Sequence, residues 1–518
     1  MYLICKLLYI AIFALLSAAP PYLPLYYSDV LHFSSDQIGL VLAIAPFVQS
    51  IACPLWSLVV DKRPRLHGAI MALTSFLGGS AIMGIMVIGH VASSSNLGAP
   101  IVFGISNTVL VTITSALALA FAFFTLPNMS LVDSAVMKIL GPNKILYGEQ
   151  RLWGSVSAGL SILLVGQLIS FTSNYDMLFY VFGASTLVFM GLSFSVDVDA
   201  PQNQYVAAPE LLNDSGLQHV PSYNNNLTTV PTSNDAEKLL NTRMPINNYS
   251  SIPSDQNNSA NRYDLFKTDS IASAHTIREE ADETLDTLGH IDLGLAISRI
   301  ASIDQSLAGL REVTTGGIPP EAKSVFKSFR VITFLMTTLL FGVVLSIIIN
   351  FLFLFLSRDL HMPASWIGWT GPTTGATELL CFCFSKQLTE LFGVTNMILI
   401  AHIATIVRCL IYTILPSDSF FTNVSALLLQ TLHGIGFGIF WATAVSEMDS
   451  FFPPEQRSVA QGILGALHFG LGTGLGALVG GYLFEYLGAI WMFRVAALVA
   501  AVNMCVFYIG RLDRFKLE

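Results

Sequence analysis

The stretch Val331-ITFLMTTLLFGVVLSIIINFLFLF-Leu356 carries no charged side chain. About 20 apolar residues suffice to cross the hydrocarbon core, where no backbone group can be left unpaired, so this run reads as a transmembrane helix. Five similar runs follow it, at Trp366–Phe384, Val394–Leu415, Val424–Ser446, Val459–Phe484 and Ile490–Ile509. Six precede it, at Leu3–Ala19, Ile38–Val60, Ala69–Ile88, Ile101–Val136, Ile145–Phe171 and Leu178–Phe194. None shows the ten-residue alternation of a barrel strand. The fold class expected is an all-α membrane protein with 12 transmembrane helices in two six-helix halves, residues 1–195 and 329–518. The first run has no cleavage site and is followed by Pro20, Pro21 and Pro24, so it reads as a retained helix and not as a signal peptide.

Composition agrees with that reading. Of 518 residues, 53% are hydrophobic and only 11% charged, with a mean hydropathy of +0.63. A soluble domain carries about a quarter charged residues, so a water-soluble enzyme is excluded. All six cysteines (Cys5, Cys53, Cys381, Cys383, Cys409 and Cys505) lie in apolar runs, which argues against a disulfide or zinc framework.

Charge is concentrated between the halves. Residues 196–328 hold 18 acidic and 9 basic side chains, which accounts for the whole formal net charge of −9. This insert is rich in Asn, Ser, Thr and Pro, as in Ser222-YNNNLTTVPTSN-Asp235, and buries too little apolar surface to fold alone. It reads as a disordered acidic and polar loop, with Ile300, Ile303, Leu307 and Leu310 spaced like one face of a helix. Basic residues near the segment ends gather on one side: Lys6, Lys62, Arg63, Arg65, Lys138, Lys144, Lys386, Arg457, Arg511, Arg514 and Lys516. By the positive-inside rule that side, both termini and the loop are cytosolic. Cytosolic partners or kinases are expected to act on the 196–328 loop, where Arg299-Ile-Ala-Ser302 suits a basophilic kinase; nucleic acid is not an expected partner, and the lipid bilayer is. The sequons at Asn213, Asn226, Asn248 and Asn257 are glycosylated only if this topology is inverted.

The second half repeats the first. Ser35-Asp-Gln-Ile-Gly39 and Ser365-Trp-Ile-Gly368 open the second segment of each half. Counting 22 residues from each glycine reaches an acid at the basic side, Asp61 and Glu390. The fifth segment of each half opens with Glu-Gln-Arg, at Glu149–Arg151 and Glu455–Arg457. Such halves, joined by a long loop, mark transporters that rock about a site near the midplane.

The residues Ser57-Leu-Val-Val-Asp61-Lys62-Arg63-Pro64-Arg65 resemble the signature between the second and third helices of the major facilitator superfamily, with Ser57 and Pro64 where the family has glycines. The resemblance implies the major facilitator fold, and a cytosolic gate made by Asp61, Lys62 and Arg65, with Glu390 as the counterpart in the second half. In that family the aspartate meets a helix N-terminus of its neighbour and latches the cytosolic side, an interaction of about 0.3–1 kcal/mol. The alternative reading is a plain positive-inside loop.

Ionisable residues inside the apolar runs each demand a partner or a role. Asp133 precedes the Gly141-Pro142 turn by 8 residues and Arg151 follows it by 10, so on adjacent antiparallel helices the two lie at similar depth. They either neutralise each other or clamp a polar ligand, with Trp153 and Tyr147 near enough in sequence to stack on a ring. Tyr147-Gly-Glu-Gln-Arg151-Leu-Trp-Gly154 closely resembles the start of helix 5 in the lactose-permease-like branch of that superfamily, where the matching arginine binds sugar together with an acid 18 residues earlier, the position of Asp133 here. Glu378, Arg408 and His433 match, in order and spacing, a sugar-contacting glutamate, an arginine and a histidine of the permeases. The resemblance therefore implies substrate binding by Asp133, Arg151, Glu378 and Trp153, coupling through His433 and Arg408, and a proton as coupling ion. This chain departs where the permeases carry a proton: Gly436 stands for the glutamate three residues after the histidine, and Ser346 and Asn350 stand in the seventh segment in place of acids. Asp133, Glu378 or His433 are the groups left to titrate.

His90, His402 and His468 have no such match and read as structural, and Glu447 as a solvated helix-end charge. The glycines from Gly470 to Gly480 permit close helix packing or sliding. Gly434-Ile-Gly-Phe-Gly438 follows no strand and is not a phosphate loop. With no nucleophile–base, metal or phosphate motif, the function expected is secondary active transport of a small polar solute, sugar- or nucleoside-like, by alternating access. The alternative is a non-transporting receptor or scaffold with a transporter fold.

Overall fold

A computed structural model describes residues 2–95, 106–141, 146–196, 328–452 and 457–512, all of which fall in one compact unit. Among them there is no strand. Eleven helices are long and apolar enough to cross a membrane: α1 (Leu3–Asp29), α2 (Ser35–Lys62), α3 (Pro64–Ala92), α4 (Asn107–Leu140), α5 (Tyr147–Thr172), α6 (Met177–Phe194), α7 (Phe329–Arg358), α9 (Ser385–Tyr412), α10 (Phe420–Phe451), α11 (Val459–Leu487) and α12 (Ala489–Ile509). The remaining expected span is present as α8 (Ala364–Cys383), a helix of 20 residues that falls short in apolarity. Its sequence explains the shortfall: Thr370, Thr373, Thr374, Thr377 and Glu378 sit within it. The protein is an integral multi-pass membrane protein. The 196–328 loop, its sequons, the kinase motif, the helical face at Ile300–Leu310 and Glu455 lie outside the described residues or at their margin.

Several helices are interrupted, each for a local reason. In α1 the helix stops at Ala18 and resumes at Leu23, across Pro20 and Pro21, which lack the N–H that would continue the ladder. In α4 it stops at Phe124 and resumes at Asn128, around Pro127, and the indole N–H of Trp56 donates to the carbonyl of Phe123 at 2.9 Å. Near the start of α9, Gly393 adopts φ +75°, open to glycine without penalty, and separates a short leading turn from the span proper. Residues Ala466–Gly472 of α11 are π-helical.

Within the first half, α1 packs on α5 and α6, α3 on α4 and α6, and α2 on α4. Within the second, α7 packs on α11 and α12, α8 and α9 on α10, and α9 on α12. The halves meet along two helix pairs, α5 with α8 and α2 with α11. The glycines that open the internal repeat sit in those two seams. Gly39 of α2 lies against Ala477 and Gly481 of α11, and Gly368 of α8 against Leu163 and Gly166 of α5. A Cβ on Gly39 would come within 2.5 Å of the Ala477 carbonyl, so the backbones touch only because no side chain intervenes. The repeat read from sequence thus records equivalent cross-half contacts.

Further cross-half bonds lie at the face opposite the basic one. Arg358 at the end of α7 donates to Asp29 Oδ1 at 3.4 Å and to the Ser28 carbonyl at 3.2 Å. Within the first half, Tyr175, in the α5–α6 turn, holds the same carboxylate by donating to Asp29 Oδ2 at 2.7 Å; burial and then this carboxylate raise its phenol pKa, so it remains a donor. Glu485 of α11 accepts from the Ser35 N–H at the α2 N-terminus at 2.7 Å, and Gln167 of α5 donates to the Ser365 carbonyl at 3.1 Å.

At the basic face the ion pairs seen among the described residues include Lys6 with Glu149 (2.6 Å) and Lys138 with Asp61 (3.2 Å) in the first half, and Glu447 with Arg330 (2.7 Å) and Arg511 (2.8 Å) in the second. Glu447 corrects the expectation of a solvated charge. Its side chain is 5% exposed, with Arg330 of α7 and Arg511, just past the end of α12, both paired to it. Glu447→Gln leaves both arginines short of their counter-charge and is expected to cost about 3–5 kcal/mol, read as a fall in thermal unfolding temperature in detergent, whereas Asp61→Asn at the exposed pair costs under about 1 kcal/mol.

Candidate functional site

Between the halves lies a cavity of about 640 Å³, walled by α1, α2, α4 and α5 on one side and by α7, α8, α9 and α10 on the other. Volumes of roughly 300–1,000 Å³ suit small-molecule sites. Its lining is mainly apolar, with Phe13, Ile162 and Phe353 among the larger side chains, and both halves contribute charged groups to it, Arg151 from the first and Glu378 and Arg408 from the second.

The cluster of the first half is built on the α4–α5 hairpin. Arg151 Nη1 donates to Asp133 Oδ1 at 3.3 Å, as the register about Gly141 requires. Arg151 reaches the cavity wall although its side chain is only 4% exposed; Asp133 stands behind it, outside the lining, and its Oδ1 also accepts from the Tyr9 hydroxyl at 2.5 Å. The guanidinium carbon sits 5.3 Å from the Phe13 ring centre and 5.9 Å from that of Tyr9.

The cluster of the second half joins α8, α9 and α10. Arg408, 1% exposed, donates from Nη1 to His433 Nδ1 at 2.8 Å and from Nη2 to Gln430 Oε1 at 3.0 Å. A guanidinium has no lone pair, so His433 Nδ1 must be the acceptor and its proton resides on Nε2. That nitrogen lies 3.7 Å from Glu378 Oε1, longer than a hydrogen bond. Gln430 in turn donates from Nε2 to the Tyr412 hydroxyl at 2.7 Å, and the Tyr412 ring underlies Arg408 at 5.5 Å. Arg408, Gln430, His433 and Glu378 all line the cavity. A buried cation is thus held in place by three neighbours while its acid counterpart faces the open space. Such an array presents donors and an acceptor to a hydroxyl-bearing ligand.

Of the other residues expected at the site, Trp153 is not there. It is 45% exposed and lies beside Lys6, whose Nζ is 5.9 Å from the ring centre. Two residues beyond Arg151 is about 200° around the helix, so the two side chains leave opposite faces. Trp153→Ala is accordingly expected to change the apparent affinity for solute less than twofold, checked by titrating uptake, because nothing in the cavity touches it.

Among the gate residues, Asp61 pairs with Lys138 of its own half; Lys62, Arg65 and Glu390 are exposed. His402 and His468 are buried in helix contacts, to the Ile398 and Thr338 carbonyls, and His90 pairs with Asp176 at 3.2 Å. Sequence reasoning missed Tyr9, Gln430 and Tyr412. The last two had a signal: Gln430 precedes His433 by one helical turn, and Tyr412 follows Arg408 by one.

Comparison with known proteins agrees with this architecture. The model of the family described as "MFS_1 like family" matches residues 2–495. The maltose permease of Geobacillus stearothermophilus is 26% identical over 187 residues, 36% of this chain and 42% of that protein. A putative nucleoside transporter of Escherichia coli (strain K12), YegT, is 28% identical over 97 residues, 19% of this chain and 23% of its own length. The chain thus matches less than half the length of these relatives. The crystal structure of the nucleoside transporter NupG superposes with a TM-score of 0.64 at 15% identity, covering 100% of both chains, which is a likeness of fold. With its helices, its two-halved arrangement and a match running through nearly the whole sequence, the chain belongs to the MFS_1 like family of the major facilitator transporters.

Proposed function

We propose that the protein is a secondary transporter that moves a small polar solute, sugar- or nucleoside-like, across its membrane by alternating access. The observation that carries this reading is the central cavity, which receives one charged cluster from each half, Arg151 with Asp133 behind it and Glu378 with Arg408, Gln430 and His433. A ligand touching both clusters is released only when the halves part, so binding and rocking are linked by geometry. The relatives named for maltose and nucleosides support a hydroxyl-rich cargo.

The basic face is cytosolic in this reading, with both termini on that side. The cross-half bonds at the opposite face, Asp29–Arg358 and Glu485 at the α2 N-terminus, then close the outer side. The gate of Asp61, Lys62, Arg65 and Glu390 engages in the opposite state. Glu378 and His433 carry the coupling proton, and protonation of His433 Nδ1 requires that its bond from Arg408 be released.

The test is uptake by liposomes holding the purified protein, offered a panel of sugars and nucleosides with and without an inward proton gradient. Uptake of at least one solute, faster with the gradient, is expected. No uptake of any solute contradicts the transport reading, and uptake indifferent to the gradient contradicts proton coupling alone.

A further inference from the structure

We propose that Tyr9 is a positioning residue of the solute site: its hydroxyl holds Asp133 and thereby sets how far the Arg151 guanidinium stands out on the cavity wall. This rests on the transport reading above and names a residue that reading does not use.

Tyr9 is fully buried in α1, one wall away from the cavity. A buried phenol needs a partner, and in a helical bundle a backbone carbonyl would serve; Tyr22, on the same helix, bonds the Ile162 carbonyl in this way at 2.8 Å. Tyr9 instead donates to a carboxylate oxygen at 2.5 Å, within the short range of an O–H donor on an anion. The oxygen it chooses is Oδ1, which also accepts from Arg151 at the longer distance of 3.3 Å. Asp133 Oδ2, buried as well, has no hydrogen-bond partner among the described residues. The phenol and the guanidinium therefore share one oxygen, and the phenol has the shorter bond.

The consequence is electrostatic and geometric. Density withdrawn by the phenol hydrogen weakens the pull of Oδ1 on Arg151, and the two rings at 5.3 and 5.9 Å keep the guanidinium between them, at the wall where Phe13 also lies. Without the hydroxyl, Arg151 becomes the sole strong donor on Oδ1, and the pair contracts toward α4. The arginine is then drawn off the wall and meets solute less well. Among the described residues, Lys6 and Glu149 bond each other at the basic face, and Tyr147 meets the Tyr9 ring edge-on at 6.2 Å.

Tyr9→Phe keeps the ring and removes only the hydroxyl. In the liposome assay it is expected to raise KM about tenfold, the scale of one hydrogen bond to a charged group, with kcat within twofold of wild type. In an Asp133→Ala background, which removes the shared acceptor, the same change is expected to alter KM less than twofold, because its route of action is gone; a packing role would give the same loss in both backgrounds. Independently of transport, infrared difference spectra with 13C-carboxyl aspartate, referenced to Asp133→Asn, are expected to show the Asp133 band displaced in Tyr9→Phe. An unmoved band with wild-type uptake intact overturns the role of Tyr9 and leaves transport standing. A moved band with unchanged KM reduces the bond to a structural one and overturns the proposal. If wild-type protein takes up nothing from the panel, the transport reading fails and this proposal with it, whatever the band does.

Discussion

Arg151→Gln is expected to lower kcat/KM for solute uptake at least about thirtyfold, from the loss of about 2 kcal/mol or more when one partner of a buried, hydrogen-bonded charge pair is truncated. Two effects add in this variant. The cavity loses the cationic donor that the first half presents, and Asp133 is left as a buried anion with Tyr9 as its remaining donor. Glutamine retains an amide donor on a shorter stem and cannot span the 3.3 Å contact while also reaching the wall. Asp133→Asn is expected to be milder, because an amide oxygen still accepts from both Tyr9 and Arg151. The ordering is the informative part: a purely structural pair would make the two variants equally damaging to folding, whereas a ligand-binding arginine makes Arg151→Gln the worse for uptake at equal expression. Initial uptake rates normalised to reconstituted protein check it.

Gly39→Leu is expected to open the face opposite the basic one. The glycine Cα lies against α11 so closely that an added Cβ would approach the Ala477 carbonyl at 2.5 Å and the Gly481 Cα at 2.9 Å. Both are backbone atoms, which cannot swing aside as a side-chain tip does, so α2 and α11 must separate there. Overpacking of this kind costs about 1–3 kcal/mol in the closed arrangement and nothing once the seam has parted, a shift of about 5- to 150-fold in the equilibrium. Gly166 of α5 makes the equivalent contact with α8, where a Cβ would come within 2.6 Å of the Ala364 carbonyl, and a leucine there is expected to act the same way. A cysteine placed at Ala158 on the cavity wall reports the change: an impermeant maleimide added from the face opposite the basic one labels it faster in the glycine variants than in their parent, above the background of the native cysteines.

Much of this was legible from the chain alone, and the exceptions have physical causes. The spans were legible because each is a long apolar run with charge at its ends. Their boundaries moved where a helix continues past a break: the first run ends at Ala19 in hydropathy, but Pro20 and Pro21 only interrupt α1, which extends to Asp29. The break before Pro127 lay hidden inside an unbroken apolar run. α8 is the reverse case, since the threonines and Glu378 that make it a cavity wall lower its apolarity. The Asp133–Arg151 pair was readable from similar distances to one turn, and Trp153 was misplaced because proximity in sequence was taken for proximity on the helix face. Tyr9 carried no signal, being one aromatic in an apolar helix 124 residues from its partner. For Asp61 the signature in the sequence names the residue but not its partners, of which Lys138 of the same half is one.

The central claim is that one cavity, carrying Arg151 on one wall and Glu378 on the other, exposes its ligand to the two faces in turn. Counterflow in liposomes tests it most directly, because exchange of labelled for unlabelled solute requires the loaded protein to reorient and needs no gradient. Wild-type protein preloaded with an unlabelled solute from the panel is expected to accumulate the labelled form transiently above its outside level, and Arg151→Gln to abolish that overshoot. Saturable binding of the labelled solute to the purified protein, with no overshoot at any preload concentration, would contradict the account.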